Sequence, residues 1–166
     1  LVNRSTVLKN VLTGRLSKVS TIRSIFGLWP KEQKQMAFEA LNQVEILEKA
    51  YVRASNLSGG QQQRVGIARA LSQKPKVMLA DEPVASLDPI TSRVVMSYLK
   101  KINKELGITT IVNLHFLDLA KEFGDRLIGL RDGELVYDGK VDDVSDEDFE
   151  NIYGRSIKQS DLIGND

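Results

Sequence analysis

The sequence has 166 residues, 42% of them hydrophobic and 27% charged, enough for one domain or slightly more. That composition excludes a disordered chain, and no run approaches the roughly 18 apolar residues of a membrane span. With no cysteine there can be no disulfide, thiolate metal site or Cys nucleophile, and a net charge of +1 is too even to argue for nucleic acid. The charge is unevenly spread, with a basic stretch over residues 1–35 and an acidic one over 138–166; on counts alone both read as solvated faces.

The opening Leu1-Val2-Asn3-Arg4 has no initiator Met and no signal-peptide order, and reads as a cut through something longer. Ser5 is placed to cap a helix through Val7, Leu8, Val11 and Leu12, which Gly14 would end. Periodicity fails around Ile25-Phe26-Gly27-Leu28-Trp29-Pro30, predicting a loop with apolar anchors. From Lys31 a helical stripe returns (Met36, Ala37, Ala40, Leu41, Val44, Leu47), and its residue types suit core packing. A further helix spans about Ser58–Gln73 with Val65, Ile67, Ala68 and Leu71 inward, stopped ahead of Pro75.

Val77-Met78-Leu79-Ala80 then reads as a short strand buried on both faces. A helix from Pro89 to Leu106 with Gly107 past its end precedes a second buried strand, Ile108–Leu114. A short helix over Leu117–Phe123 follows, then a hairpin of Arg126–Leu130 and Leu135–Tyr137 turning at Asp132-Gly133. Acidic residues interleaved with Val144, Phe149, Ile152 and Tyr153 predict a terminal helix. Strand–helix–strand alternation from residue 76 implies an α/β layer with parallel strands, while residues 1–75 form a helical subdomain.

Four local features carry chemistry. Leu57-Ser58-Gly59-Gly60-Gln61 is a helix start with capping-box spacing, and its two glycines leave backbone N–H groups open to an anion; an ordinary capped helix has the same pattern. Asp81-Glu82 closes the first strand at the carboxyl edge of a parallel sheet, where α/β proteins bind ligands. One carboxylate there can hold Mg²⁺ while its neighbour acts as base on a water; paired acids after a strand also serve as plain caps. Asp88 ahead of Pro89 is an N-cap by pattern, and His115, the sole histidine, falls at the end of the second strand.

The order of these features resembles the ATP-binding subunit of ABC transporters over essentially the whole chain. Asn3-Arg4-x-x-Val7-Leu8-x-Asn10-Val11-Leu12-x-Gly14-Arg15-Leu16, Ala80–Pro89, Val112-Asn113-Leu114-His115 and Ile152-Tyr153-Gly154 are similar to the phosphonate-import branch. The resemblance implies a P-loop NTPase (ABC ATPase) fold, present incompletely. It implies a helical signature subdomain over residues 1–75 and the carboxyl-terminal part of a RecA-like core over 76–166. Ser58, Gly59, Gly60 and Gln61 would contact the γ-phosphate of ATP held by the second subunit of a head-to-tail homodimer. Asp81 would order Mg²⁺, Glu82 would be the catalytic base, Asp88 the D-loop residue at the dimer interface, and His115 the γ-phosphate switch.

The implied function is ATP hydrolysis driving an importer for phosphonate or a related oxyanion. The protein would lie on the cytoplasmic face of the membrane against a permease subunit, with a periplasmic or extracellular binding protein as indirect partner and no nucleic acid. The chain holds no G-x-x-x-x-G-K-[ST] and no Q-loop, so it is expected to be inactive alone. One side of the Val77–Ala80 and Ile108–Val112 layer is then expected to lose neighbours, and the exposed strand edges and apolar surface to drive self-association. The alternatives are a non-transport ABC ATPase and a non-catalytic partner-binding fragment.

Overall fold

The computed structural model describes residues 1–163. Its elements in chain order are α1 (Val7–Leu12), α2 (Thr21–Ile25), α3 (Lys31–Gln43), α4 (Gly59–Leu71), β1 (Val77–Asp81), α5 (Pro89–Leu106), β2 (Thr109–Asn113), α6 (Leu117–Phe123), β3 (Arg126–Arg131), β4 (Glu134–Lys140) and α7 (Asp146–Tyr153), with short 3-10 turns between them. The chain divides into two compact units, Leu1–Leu79 with Lys101–Ile111, and Ala80–Lys100 with Val112–Asp166. That division runs through β1, α5 and β2, each of which has one end in each unit.

In the first unit α1, α3 and α4 pack on one another around Val7, Val11, Ala37, Leu41, Val44 and Val65, all fully buried. Burying each of the valine and leucine side chains contributes about 1.5–3 kcal/mol. The cap of α1 is Thr6, one residue later than the pattern suggested, its hydroxyl accepting from Lys9 N. Gly14 does not stop that helix, which ends at Leu12. A Cβ at Gly14 would fall 2.4 Å from the Arg69 carbonyl oxygen, so glycine is needed there for close approach of α4. Residues 21–25 form α2, and the expected anchors Ile25, Phe26 and Leu28 are exposed, as is Ile22.

Within the basic stretch, Arg15 is a buried residue (5% exposed) and no part of a solvated face. Its Nε donates to Gln33 Oε1 and its Nη1 to the Ser72 carbonyl, both at 2.7 Å. The Ser72 hydroxyl in turn donates to the Val11 carbonyl, so one polar knot ties the helices together. Hydrogen bonds to a charged donor are worth about 1.5–3 kcal/mol each, and their loss orphans two buried acceptors. Arg15→Met is therefore expected to cost about 3 kcal/mol, read from the urea midpoint of unfolding; an unchanged midpoint contradicts this.

Strands β1 and β2 form one two-stranded sheet and β3 and β4 another. Thr109 N donates to the Lys76 carbonyl and Glu82 N to the Asn113 carbonyl, so β1 and β2 run parallel, as the alternation of elements requires. The reading of these strands as buried on both faces is corrected. Met78 is buried, but Val77 is 50%, Leu79 75% and Ile111 56% exposed. A continuous apolar run signals that both faces are meant to be covered, and among the described residues only one is.

β3 and β4 are antiparallel, with Arg131 opposite Glu134 across a two-residue turn. Asp132 (φ 54°) and Gly133 (φ 84°) both take the left-handed conformation that such a turn needs. In the second unit α7 packs on this hairpin with Phe149 buried, and Ser145 caps it in a reciprocal box with Asp148. Beyond α7, Arg155 grips the buried Asp161 through two bonds of 2.7 and 2.8 Å, and Lys158 N donates to the same carboxylate. The Arg155 guanidinium first, and the Lys158 N–H second, hold the Asp161 carboxyl down to about 2. A carboxyl depressed on folding stabilises the native state above its unfolded value near 4, and that contribution is lost as pH falls toward 2. Melting of the parent chain is therefore expected to fall through this window, while Asp161→Asn melts lower at neutral pH and the gap closes toward pH 2. Parallel melting curves for the two proteins would refute the assignment.

Candidate functional site

In the first unit, Ser58 is the N-cap of α4. Its hydroxyl accepts from Gln61 N at 3.3 Å and Gln61 Oε1 accepts from Ser58 N at 3.0 Å, the capping box that the spacing suggested. This geometry leaves Gly59 and Gly60 in the first turn, whose N–H groups lie ahead of the helical ladder. Ser58 and Gly59 are exposed and Gly60 is buried. The Gln61 side chain is committed to the cap. An anion approaching here would meet backbone donors, the Ser58 hydroxyl and the positive end of a 13-residue helix.

In the second unit, Asp81 and Glu82 stand where β1 ends. Asp81 Oδ1 accepts from Asn113 Nδ2 at 2.8 Å, which fixes the carboxylate and leaves its other oxygen for a cation. No group of three or more Asp, Glu, His or Cys side chains able to hold a metal forms among the described residues. One oriented carboxylate suits Mg²⁺, which keeps most of its waters and takes the rest of its shell from phosphates. On that ground the donor set fits the ion.

Glu82 has a φ of 44°, in the left-handed region, an uncommon conformation for a residue with a long side chain. Such a conformation costs on the order of 1–3 kcal/mol and persists only where the surroundings enforce it. Here Glu82 N is held by the Asn113 carbonyl at 3.1 Å, and the Glu82 carbonyl accepts from Ala85 N at 3.3 Å. The twist turns the carboxylate toward His115, whose Nδ1 lies 3.7 Å from Glu82 Oε1, with both side chains half exposed. The His115 ring rests against Phe116 at a centroid distance of 4.5 Å.

The second unit thus brings together three of the residues singled out in the sequence, Asp81, Glu82 and His115. Ser58, Gly59, Gly60 and Gln61 belong to the first unit. Asp88 also belongs to the second unit but is engaged locally: its Oδ1 accepts from Thr91 N at 2.9 Å, capping α5 ahead of Pro89. Hydrogen bonds from Thr91, the hydroxyl first and the backbone N–H next, hold the Asp88 carboxyl below its usual range. Sequence reasoning missed Asn113 as a site residue. The signal was available in the parallel register, which sets the strand residue two before His115 beside Asp81.

Parallel strands delivering an acid pair and an imidazole to one edge, with a glycine-bearing helix start elsewhere in the chain, define an α/β fold class. The family model described as ABC transporter matches residues 1–85. The chain belongs to the ABC transporter family. It is 62% identical over 99% of its length to Phosphonates import ATP-binding protein PhnC 3 of Halalkalibacterium halodurans, and 63% identical over 99% to Phosphonates import ATP-binding protein PhnC 1 of Oceanobacillus iheyensis. It spans 64% of the length of each. Among solved structures, a metal-chelate type ABC transporter in an inward-facing conformation superposes with a TM-score of 0.82 at 25% identity, covering 93% of this chain and 60% of that one. A bacterial ABC transporter cassette solved as a dimer gives 0.67 at 38% identity, covering 85% and 59%.

Proposed function

We propose that this chain is the signature-bearing, carboxyl-terminal part of the ATP-hydrolysing subunit of an importer for phosphonate or a related oxyanion. The observation that carries the reading is the twisted Glu82 held 3.7 Å from His115 and adjoining an Asp81 that Asn113 has already oriented. Phosphoryl transfer to water demands little covalent chemistry from a protein and much positioning. Glu82 is the base that accepts the proton of the attacking water. His115 senses the γ-phosphate from the adjacent sheet edge, and Asp81 holds Mg²⁺. When bound, the ion neutralises charge on the phosphate oxygens.

Ser58, Gly59, Gly60 and Gln61 complete the pocket of a second copy in a head-to-tail dimer, with Asp88 at that interface. The exposed Ile22, Ile25, Phe26 and Leu28 form the apolar surface that docks on a membrane permease, which places the protein at the cytoplasmic face of the membrane. The 166 residues hold no G-x-x-x-x-G-K-[ST] loop to cradle the phosphates. The purified 166-residue chain is accordingly expected to hydrolyse no ATP, while the longer protein does so and supports uptake of methylphosphonate. Turnover by the chain alone at the rate of a complete relative would overturn the proposal.

A further inference from the structure

The segment that carries His115 lies just past the end of β2 at Asn113 and ahead of α6, outside the strand ladder. Its backbone has a different anchor. The Tyr153 hydroxyl, from the last residue of α7, donates to the His115 carbonyl at 2.7 Å. Three features fix Tyr153 for this contact. First, α7 closes on Gly154 at φ 65°, with Gly154 N donating to the Asn151 carbonyl and Arg155 N to the Glu150 carbonyl, a paired closure that sets where the helix stops. Second, the Arg155 guanidinium lies over the Tyr153 ring at 5.3 Å and is itself locked by Asp161. Third, Ile163 N donates to Asp118 Oδ1 at 3.0 Å, tying the chain beyond Asp161 to the first turn of α6, and Arg93 grips the same Asp118 at 3.2 Å.

Residues 115–118 are thus held from both ends by the carboxyl-terminal segment. Nothing in the hydrolytic chemistry described above uses Tyr153, yet it is the side chain that fastens the backbone of the histidine. We propose that Tyr153 is a positioning residue for the ATPase reaction, setting the distance and aim of His115 toward Glu82 and the nucleotide. This rests on the reading of His115 as the γ-phosphate switch. Burial pushes the Tyr153 phenol up, with Asp161 adding to the effect, so the hydroxyl stays a donor through the working pH range. A displacement of a few tenths of an ångström at a group that must meet a phosphate is enough to slow turnover.

Tyr153→Phe removes the hydroxyl and keeps the ring beneath Arg155. In the full-length ATPase it is expected to lower kcat about fivefold, the fold-change of one lost hydrogen bond, with KM for ATP unchanged. His115→Ala should abolish turnover, and the double variant should be no slower than His115→Ala alone. In the 166-residue chain His115 is the only histidine, so its imidazole proton signals are read without assignment by mutation. Those signals should shift in Tyr153→Phe, which a merely structural role for the tyrosine would not produce. Unchanged kcat, or unchanged His115 signals, overturns the proposal. Full turnover in His115→Ala instead overturns the reading of His115 itself, and the two failures are told apart by that variant.

Discussion

In the full-length protein, Glu82→Gln is expected to leave ATP bound while turnover falls by about a hundredfold or more. The substitution preserves size and the capacity to face His115, but the amide cannot take a proton from water. A positioned general base is worth roughly 10²–10⁴ in rate, so its removal dominates any loss of packing at a side chain that is half exposed. Ground-state binding is carried elsewhere: Asp81 keeps its bond from Asn113, and the backbone donors of the signature helix are untouched. The unusual φ of Glu82 is set by bonds through its own N–H and carbonyl, which glutamine retains. Phosphate release and binding of a fluorescent ATP analogue, measured on one preparation, separate the two effects. Unchanged hydrolysis would remove Glu82 from the role of base, whereas loss of both binding and turnover would place it in nucleotide affinity.

Local chemistry was legible in the sequence, and long-range placement was not. The capping box at Ser58 and Gln61, the Asp88 cap, the Asp132-Gly133 turn and the bounds of α5 and α6 all depend on residues within a few positions of one another. The residue types of β1 and β2 read as two-sided burial because apolar type records what a strand should meet, not what covers it; the expectation that one side of this layer lacks neighbours agrees with the exposures. Leu79 and Ile111 stay exposed despite being the right residues for a two-sided core. Ile25, Phe26 and Leu28 were misread for the same reason. Arg15 looked like one more charge in a basic stretch, and only the meeting of Gln33 and the Ser72 carbonyl explains its burial.

The candidate site divides along the same line. Asp81, Glu82 and His115 could be read because strand ends converge at a sheet edge whatever the register. Asn113 needed the register. Tyr153 needed α7 to fold back over 38 residues of chain, and no periodicity announces that. The twist at Glu82 was also invisible, since glutamate carries no preference for positive φ; it is imposed by the Asn113 and Ala85 bonds on either side.

Phe149→Ala is expected to cost the second unit about 3–5 kcal/mol, the usual range for deleting a buried aromatic ring. Phe149 is 2% exposed and is the buried residue of an eight-residue helix too short to persist alone in water. Its ring also supports the Lys121 ammonium, 4.9 Å from the centroid. Packing beside the ring is already close. At Gly129 a Cβ would lie 2.4 Å from the Ile152 side chain, so α7 already rests against bare β3 backbone. The cavity therefore remains, and melting should drop by about 10 °C. Because α7 ends in Tyr153, partial undocking also releases the His115 carbonyl, and the histidine signals should broaden well below the melting point. Ser145→Ala, which removes only the cap of the same helix, should cost about 1 kcal/mol and leave those signals sharp. Equal losses in the two variants would mean that capping, and not the ring, holds α7 in place.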